Sequence, residues 1–523
     1  MSSTSECDVK LFDSFLKIGC CQTCCLRLLG ESNPAIYQNV TQHVKHKGYT
    51  VEEAVNSEDE NHKYKVKKDN PCIGCLGLLQ NPFEDAVLEK VLSEIEQFTY
   101  DSPTFSVALV FPVSMQLRAH SLFLYLEKNY PEHCANVNPH ARAISVGVKE
   151  VWKWRCITQI KNNFSSEKKF TACSPLTVTI KMKYADEDKE CSALFKMLPN
   201  DFSKTKNRKN QGSVDVYSRK SVEKALETVG DSIFKTHFLS PPEIPSEPMI
   251  CEEVTACYNS IHIAGRYNKW SRELPQTPWI IDGKRRMESS VQEIITEPLL
   301  KLTSAQDARF SSSGREDVDV RTLGRGRPFS VELIDPKKTI FTNEEMRKTE
   351  QQINELGNNK VTIRDLQIVG KECLNLLKDG EEMKTKDYNA LCVLLGRVDS
   401  QNNPKEYCIE DCLQKINSIQ TPLVIDQATP VRVLHRRALA IRQKTIHTMS
   451  GTKISESQFV LHLQTQAGTY IKEFIHGDLG RTSPSLGELL EGYQVDILAL
   501  DVQDISLDWP PPVVTSNGIS ANT

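Results

Sequence analysis

The 523-residue sequence has no long apolar run, little net charge and no internal repeat. A membrane-spanning helix needs about 20 consecutive apolar residues, and no stretch approaches that length, so no membrane partner is expected. The first ten residues lack the apolar run of a secretory signal, which predicts an intracellular protein of the nucleus and cytoplasm. The formal net charge of −4 neither favours nor excludes a nucleic-acid partner, because the local arrangement of charge decides that question.

Three sequence motifs of other enzyme classes are also missing. The chain has no His-x-Glu followed by Pro-Cys-x-x-Cys, which a zinc-dependent deaminase would need. It has no glycine-rich cofactor loop after a strand, which counts against a methyltransferase. The piece Gly324-Arg-Gly326 lacks the Lys-Ser/Thr ending of a phosphate-binding loop.

The length predicts several domains, and composition suggests where they divide. Residues 1–78 are rich in cysteine, whereas 79–245 mix helical and strand patterns. The proline-rich stretch Pro241–Pro248 marks the approach to a third unit, 249–512. The tail 513–523 is predicted to be disordered. Because helices and strands mix in both larger units, the predicted fold class is multidomain α+β.

Apolar spacing predicts several individual elements. The predicted helices are Phe83–Phe98, Val291–Glu297 and Asn343–Leu356. The predicted strands are Phe105–Phe111, Thr177–Met182, Ser330–Leu333 and Phe459–Leu463.

Two Cys-x-x-Cys pairs stand out among the 17 cysteines, namely Cys21-Gln-Thr-Cys24 and Cys72-Ile-Gly-Cys75. Each pair can supply two thiolates from one tight turn, and two such turns complete a closed tetrahedral site for a structural Zn²⁺ ion. Cys20 and Cys25 flank the first pair, so the ligands at that turn stay open. The 47 residues between the pairs exceed the spacing of ordinary zinc ribbons, and buried unpaired cysteines are the alternative.

The stretch Ser313–Phe329 sets two aspartates among four arginines. They are Asp317 and Asp319, with Arg315, Arg321, Arg325 and Arg327. A carboxylate with basic neighbours keeps a low pKa and stays ionised, which is the state that a nucleophile needs. The arginines also suit phosphate contacts. On residue chemistry alone, the favoured interpretation is a salt-bridged surface loop.

Four further stretches accompany this one along the chain. They are Gly265–Lys284, Lys384–Tyr388, Thr429–Arg437 and Thr465–Thr482. Together the five stretches, which span about 220 residues, resemble the motifs of the THUMP-containing tRNA pseudouridine synthases of archaea and eukaryotes, the tenth recognised family of these enzymes. The two Cys-x-x-Cys pairs fit that family's N-terminal zinc-bearing region, so the resemblance covers nearly the whole chain.

This resemblance implies a catalytic aspartate with two companions. Arg315-Glu-Asp317 matches the nucleophile of the family, and Asp319 is the alternative. Tyr388 matches the active-site tyrosine, whose ring can stack on uracil and whose hydroxyl can assist proton removal from C5. Lys472 matches the basic residue that pairs with the catalytic aspartate, and Thr469 could cap the helix that carries it.

The resemblance also implies a domain plan and partners. Residues 249–512 would form the pseudouridine synthase catalytic domain, a mixed or antiparallel sheet with flanking helices. Residues 79–245 would form a THUMP-containing RNA-binding accessory domain that grips the tRNA acceptor stem, beside a zinc-binding region. The target would be the TΨC arm, with uridines 54 and 55 both candidates. No organic cofactor is required, other structured RNAs are further candidate partners, and a monomer is expected.

Basic residues are predicted to hold the RNA. The target uridine is stacked inside folded RNA and must be flipped out, and Arg315 is expected to help fill the vacated space. Phosphate contacts are predicted for a basic run and for an upstream group. The run contains Arg432, Arg436, Arg437, Arg442 and Lys444, and the upstream group contains Arg266, Lys269 and Arg272.

One other function fits the same surface, and two positions depart from the family's pattern. A catalytically idle RNA-binding or adaptor protein could use the same basic residues, although retention of Asp317, Tyr388 and Lys472 counts against it. The segment Ala390–Leu395 stands where Ala-Leu-Ile-Trp-Thr is expected, and it is still apolar. Arg325 replaces a smaller polar residue, which bears on the loop's RNA contacts.

Overall fold

The computed structural model describes residues 6–49, 70–134, 146–164, 167–198, 218–382, 384–398, 404–405, 408–435 and 437–513. The chain divides into two compact units, Met1–Cys257 and Tyr258–Thr523. Both units mix helices and strands, as the predicted α+β class requires. Among the described residues, no helix is both long and apolar enough to cross a membrane. All but the first residue of the predicted disordered tail lies outside the described residues.

The first unit is built on a four-stranded sheet with the strand order β2-β1-β3-β4. The strands are β1 (Thr104–Val110), β2 (Lys169–Phe170), β3 (Leu176–Lys183) and β4 (Ile250–Tyr258). Strand β1 pairs in parallel with both β2 and β3. Alternate residues of β3 are buried, which is the pattern of a strand with one face on the core. Strand β4, at the predicted beginning of the catalytic domain, belongs to this sheet.

The described part of the first unit also contains α-helices. They are Glu6–Lys17, Gln22–Leu28, Val40–His46, Phe83–Ile95, Ser114–Asn129, Pro131–Cys134, Val148–Asn162, Glu187–Met197, Arg219–Thr228 and Asp231–His237, with a 3-10 helix at Pro34–Gln38. The helix predicted at Phe83–Phe98 therefore ends three residues early, at Ile95.

The second unit contains an eleven-stranded sheet, with the main order β10-β5-β9-β17-β11-β15-β14-β13-β16. Its strands are β5 (Ile261–Lys269), β8 (Asp307–Ser312), β9 (Val320–Ile334), β10 (Val361–Val369), β11 (Lys386–Val398), β12 (Pro404–Lys405), β13 (Leu423–Ala428), β14 (Ile441–Lys453), β15 (Gln458–Thr465), β16 (Thr482–Ser483) and β17 (Gln494–Ile505). Strand β8 pairs with β9, and β12 pairs with β11. Strands β17 and β9 run parallel, whereas the neighbouring pair β17–β11 is antiparallel. A two-stranded hairpin, β6 (Ile280–Ile281) and β7 (Lys284–Arg285), lies outside this sheet.

Helices and short turns connect these strands. They are Val291–Thr303, Asn343–Gly357, Leu374–Glu382, Ile409–Ser418, Ile471–His476 and Leu486–Leu489, with 3-10 helices at Lys371–Cys373, Val431–Val433 and Gly477–Gly480. The helix Asn343–Gly357 begins at a capping box, in which the Thr342 side chain and Glu345 satisfy each other's backbone N–H groups. The segment Ala390–Leu395 differs in sequence from the family's pattern, but its residues 390, 392 and 394 are buried, so its packing role is retained.

The arginine-rich stretch is not the single surface loop that residue chemistry favours. Only residues 313–319 form a loop, and the remainder lies in β9, between β5 and β17. Gly324 allows this strand to approach its neighbour closely: its φ is +53°, and a Cβ there would lie 1.9 Å from the Gln503 carbonyl oxygen.

Candidate active site and candidate metal cluster

A pocket of about 230 Å³ lies where the loop 313–319 meets the middle of the large sheet. Its lining includes Asp317 from the loop, Tyr388 from β11 and Lys472 from the helix Ile471–His476. Arg432, in the short turn between β13 and β14, completes the polar wall. Val320, Leu500 and Val502 supply an apolar part, where β9 and β17 run side by side. Stretches far apart in sequence therefore supply one cavity.

Asp317 is half-buried and is held by two cations. Arg432 Nη1 lies 2.9 Å from one carboxylate oxygen of Asp317 and donates to the other at 3.1 Å. Lys472 Nζ lies 3.5 Å from Asp317 Oδ2. The sequence motifs identified Lys472 as the partner, but Arg432, predicted to contact phosphate, is the closer cation.

Asp319 is the nearer partner of Lys472. The ammonium donates to both oxygens of Asp319, at 2.7 and 2.8 Å. Burial is the largest single influence on the pKa of Asp319 and raises it, but the hydrogen bond and the charge of Lys472, together with a backbone hydrogen bond and the charge of Lys269, hold that pKa below its usual value. Asp319 is 63% exposed and does not line the pocket, whereas Asp317 does.

The short helix that carries Lys472 begins differently from the prediction. Tyr470, not Thr469, is its N-cap residue, and the Thr469 hydroxyl donates to the Gln466 carbonyl instead. The side-chain amide of Gln427 holds Tyr470 in place by accepting from its N–H and donating to its C=O, both at 2.9 Å. A buried glutamine on β13 therefore fixes the residue at which the helix begins, although no side chain of the described residues caps the N–H groups of its first turn.

A buried ion pair underlies the loop that presents Asp317. Glu316 and Arg327 are both almost fully buried, and Arg327 Nε lies 2.8 Å from Glu316 Oε2. The Tyr267 hydroxyl donates to Glu316, and the Gln276 amide donates to the Gly314 carbonyl. This buried network joins side chains of the stretch Gly265–Lys284 to the stretch Ser313–Phe329, so the two stretches form one structural unit.

All three upstream basic residues donate to backbone carbonyls of the protein. Lys269 is fully buried and donates to the carbonyls of Leu274, Asp317 and Val318. Burial lowers the pKa of Lys269 to about 8. Arg272 donates to the Asp319 carbonyl at 2.9 Å.

Arg266 is 5% exposed and donates to four backbone carbonyls, those of Arg325, Gly326, Leu507 and Trp509. The phosphate contact predicted for Arg266 is therefore replaced by a framework role, because buried guanidinium groups must have their donors satisfied.

The arginines predicted to contact RNA fall into two groups, those that have an ion pair within the protein and those that have none among the described residues. Arg321 pairs with Asp501, and Arg325 pairs with Asp504 and Asp508. In contrast, Arg315, Arg437 and Arg442 are exposed, and the described residues provide no ion pair for them. Together with Ala438 these three line an open cavity of about 510 Å³, and Arg315 and Arg437 also line the Asp317 pocket.

Two members of the predicted basic run need separate mention. Lys444 donates to the Ala467 carbonyl at 2.7 Å, so one of its hydrogen bonds is already made within the protein. Arg436 lies outside the described residues, and its predicted RNA contact stays a prediction.

Four cysteine sulfurs form the candidate metal cluster in the first unit. The Sγ atoms of Cys21, Cys24, Cys72 and Cys75 all lie within 4.8 Å of one another. The sulfurs of Cys21 and Cys75 are 3.9 Å apart, close to the roughly 3.8 Å expected around a tetrahedral Zn²⁺ ion. Cys20 and Cys25 are buried but lie outside this group.

The surroundings of the cluster fit an anionic group. Backbone N–H groups of Cys21 and Gly74 donate to Cys72 Sγ, at 3.2 and 3.3 Å. The buried guanidinium of Arg27 donates to Cys24 Sγ and to the Gly74 carbonyl, and so joins the two turns. Four thiolates around a divalent ion carry a net charge of −2, and the buried Arg27 guanidinium compensates half of it. The four cysteines could therefore bind a metal ion.

Comparisons with known proteins agree with this picture. The family model "Pus10, C-terminal" matches residues 262–506, and "Eukaryotic Pus10, N-terminal" matches residues 72–257. A relative named tRNA pseudouridine synthase Pus10 from Xenopus laevis is 37% identical over 522 residues, covering 95% of this chain and 96% of the relative. The Homo sapiens protein of that name is 40% identical, covering 84% and 79%.

A more distant relative of the same name, from Thermofilum pendens, is 37% identical over 50% of this chain and 57% of its own length. The crystal structure of a Cbf5–Nop10–Gar1 complex aligns with a TM-score of 0.25 at 16% identity, over 46% of this chain and 48% of that chain. A pocket on a mixed sheet, lined by a tyrosine and by an aspartate that two cations hold, fits the class of enzymes that the motifs resemble. With two family models and relatives matched over most of its length, the chain belongs to the Pus10 family of pseudouridine synthases.

Proposed function

We propose that this enzyme isomerises uridine to pseudouridine in the TΨC arm of tRNA, at position 54, position 55 or both, with Asp317 as the nucleophile. The observation that carries the proposal is the single pocket in which Asp317 meets Tyr388, Arg432 and Lys472. The curated relatives are named tRNA pseudouridine synthases. A cavity of about 230 Å³ is smaller than most ligand pockets, and it suits one flipped base.

The proposed chemistry needs no oxidant, reductant or organic cofactor. If Asp317 attacks the sugar C1′, a carboxylate–carbon bond forms while the bond to N1 breaks, and its electron pair leaves with the base. The base then rotates, C5 bonds to C1′, and the carboxylate is released. C5 loses its proton and N1 gains one. Attack at C6 of the base is the alternative route, and it uses the same carboxylate.

Tyr388 is proposed to hold the base and to help move the C5 proton. Burial raises the pKa of the Tyr388 phenol above its usual value, so the hydroxyl keeps its proton at neutral pH. A neutral phenol can accept a proton only while it passes its own to another acceptor. Its ring, packed against the core of the second unit, offers a stacking surface within the pocket.

The exposed arginines are proposed to bind RNA. Arg315 and Arg437 line both the Asp317 pocket and the open cavity beside it, so they can contact phosphates next to a base that occupies the pocket. Arg315, two residues before Asp317, is also placed to fill the gap that the flipped uridine leaves. The first unit is proposed to be the THUMP-containing part that grips the acceptor stem.

An unmodified tRNA transcript provides the decisive test. Pseudouridine would be mapped by carbodiimide chemistry after incubation with wild type, Asp317→Asn and Asp319→Asn. We expect product at position 54 or 55 with wild type and none with Asp317→Asn, because an amide is no nucleophile. Asp319→Asn should retain activity, since that side chain lies outside the pocket. An active Asp317→Asn variant would remove Asp317 from its proposed role.

The same experiment separates the enzyme from an idle RNA-binding or adaptor protein. If wild type binds the transcript but forms no pseudouridine, the adaptor function is the better account. If wild type forms product and Asp317→Asn binds the transcript equally well without forming it, catalysis at this pocket is supported.

The metal is proposed to be a structural Zn²⁺ ion held by Cys21, Cys24, Cys72 and Cys75, with no open coordination position for catalysis. Metal analysis of purified wild type should give about one zinc per chain for a four-thiolate site. Cys72→Ser should lose it, whereas Cys20→Ser, outside the group, should keep it. Undiminished zinc in Cys72→Ser would exclude Cys72 as a ligand.

A further inference from the structure

Each of the two cations beside Asp317 is shared with a second carboxylate. Arg432 Nη1 lies 2.9 Å from Asp317, while its Nε donates to Glu473 Oε1 at 2.6 Å. Lys472 lies 3.5 Å from Asp317 but 2.7 Å from Asp319. Three carboxylates thus meet two cations, with a formal sum of −1. The sum becomes zero when Asp317 loses its charge by bonding to the substrate.

The two additional carboxylates differ in burial. Glu473 is 2% exposed, and its Oε2 has no hydrogen-bond partner in the described part of the chain. Asp319 is 63% exposed, so water screens its interaction with Lys472. A buried carboxylate must be paired, and Arg432 is the cation with which Glu473 pairs. Glu473 therefore fixes the position of Arg432 far more firmly than Asp319 fixes Lys472.

We propose that Glu473 is a positioning residue, which holds the Arg432 guanidinium between two carboxylates so that Arg432 can orient Asp317. The inference rests on the proposed function of Asp317. With Glu473 present, Arg432 stays paired after Asp317 has become a neutral ester. Without it, Arg432 would pair with Asp317 alone, and formation of the ester would leave a half-buried cation unpaired. That cost falls on the chemical step and not on RNA binding.

The helix Ile471–His476 supplies both controls on Asp317. Lys472 contacts the carboxylate directly, and the next residue, Glu473, acts on it through Arg432. Successive helical side chains project in different directions, so one turn can place Lys472 beside Asp317 and Glu473 beside Arg432.

The experiment compares Glu473→Gln with wild type and with Asp319→Asn as the matched exposed control. The single-turnover rate would be measured with saturating tRNA transcript, and the Kd by filter binding. For Glu473→Gln we expect a rate about 100-fold lower with an unchanged Kd, the size that misplacement of a reacting group can produce. For Asp319→Asn we expect a smaller loss. An unchanged rate for Glu473→Gln, or a larger loss for Asp319→Asn, would overturn the proposal.

A double-variant cycle shows whether Glu473 acts through Arg432. If it does, Arg432→Gln/Glu473→Gln should be no slower than Arg432→Gln alone. Losses that multiply would overturn the proposal. The double variant leaves no unpaired buried charge, whereas Arg432→Gln alone leaves Glu473 buried without its cation, so a urea curve for each variant separates lost folding from a slower chemical step. Wild type that forms no pseudouridine would instead contradict the proposed function, so the two failures are distinguishable.

Discussion

The cations around the pocket form two groups that differ in what they contact. The framework cations (Arg266, Lys269, Arg272 and Arg327) all donate to backbone carbonyls, and Arg327 also forms an ion pair with the buried carboxylate of Glu316. The cleft cations (Arg315, Arg437 and Arg442) are exposed and line the open cavity. Arg432 lies between the groups, since it is 40% exposed but holds both Asp317 and Glu473.

Burial, and not residue type, separates the cations that hold the fold from those that we propose to bind RNA. Removal of a framework cation leaves buried acceptors unpaired, so the cost should appear as lost stability. Removal of a cleft cation leaves no buried group without its partner, so its effect should appear as weaker RNA binding and not as lost stability. The comparison fails if a framework variant folds normally or a cleft variant unfolds.

Arg327→Leu should have the largest effect on stability. It removes the guanidinium that pairs with Glu316 at 2.8 Å and leaves that carboxylate almost fully buried without its cation. We expect the free energy of unfolding to fall by about 3–5 kcal/mol, measured by urea denaturation. Arg321→Gln is the control, because the Arg321–Asp501 pair is 36% exposed on the arginine side and should contribute about 1 kcal/mol or less. Equal losses would contradict the distinction.

Lys269→Met should change how stability depends on pH. Burial lowers the pKa of Lys269 to about 8 in the folded protein, whereas an unfolded lysine titrates near 10.4. Between these values the unfolded chain binds a proton that the folded chain has released, so wild-type stability should rise with pH relative to the variant. Below pH 8 the difference should be constant. The free energy of unfolding of both proteins would be measured with urea from pH 7.5 to 10. A constant difference between them over this range would show instead that Lys269 titrates normally.

Part of the fold and of the candidate site could be predicted from the sequence, where an apolar period or a family motif marks the residues. Apolar alternation predicted the β3 and β15 regions, and the family resemblance implied that Asp317, Tyr388 and Lys472 act together, as residues that line one pocket can. Burial of a cation cannot be inferred from one sequence, because it depends on strand pairing between distant segments. Arg266 and Arg437 both stand in basic motifs, yet one lies inside the sheet and the other faces solvent. The sharing of Arg432 between Asp317 and Glu473 was missed for the same reason.

Arg442→Ala should have the smallest effect and tests the cleft group alone. Arg442 is exposed, has no ion pair among the described residues, and does not line the Asp317 pocket, so its loss should spare both folding and the chemical step. If it contacts one phosphate, the slope of log K for tRNA against log salt should become shallower by about 0.7–0.9.

Arg325→Ala provides the control for that measurement. Arg325 is 49% exposed but already pairs with Asp504 and Asp508, so its charge is neutralised within the protein. Its removal should leave the salt slope unchanged. If the slope became shallower for Arg325→Ala and stayed unchanged for Arg442→Ala, RNA would be competing successfully for paired arginines. Exposure without an ion pair would then no longer identify the residues that bind phosphate.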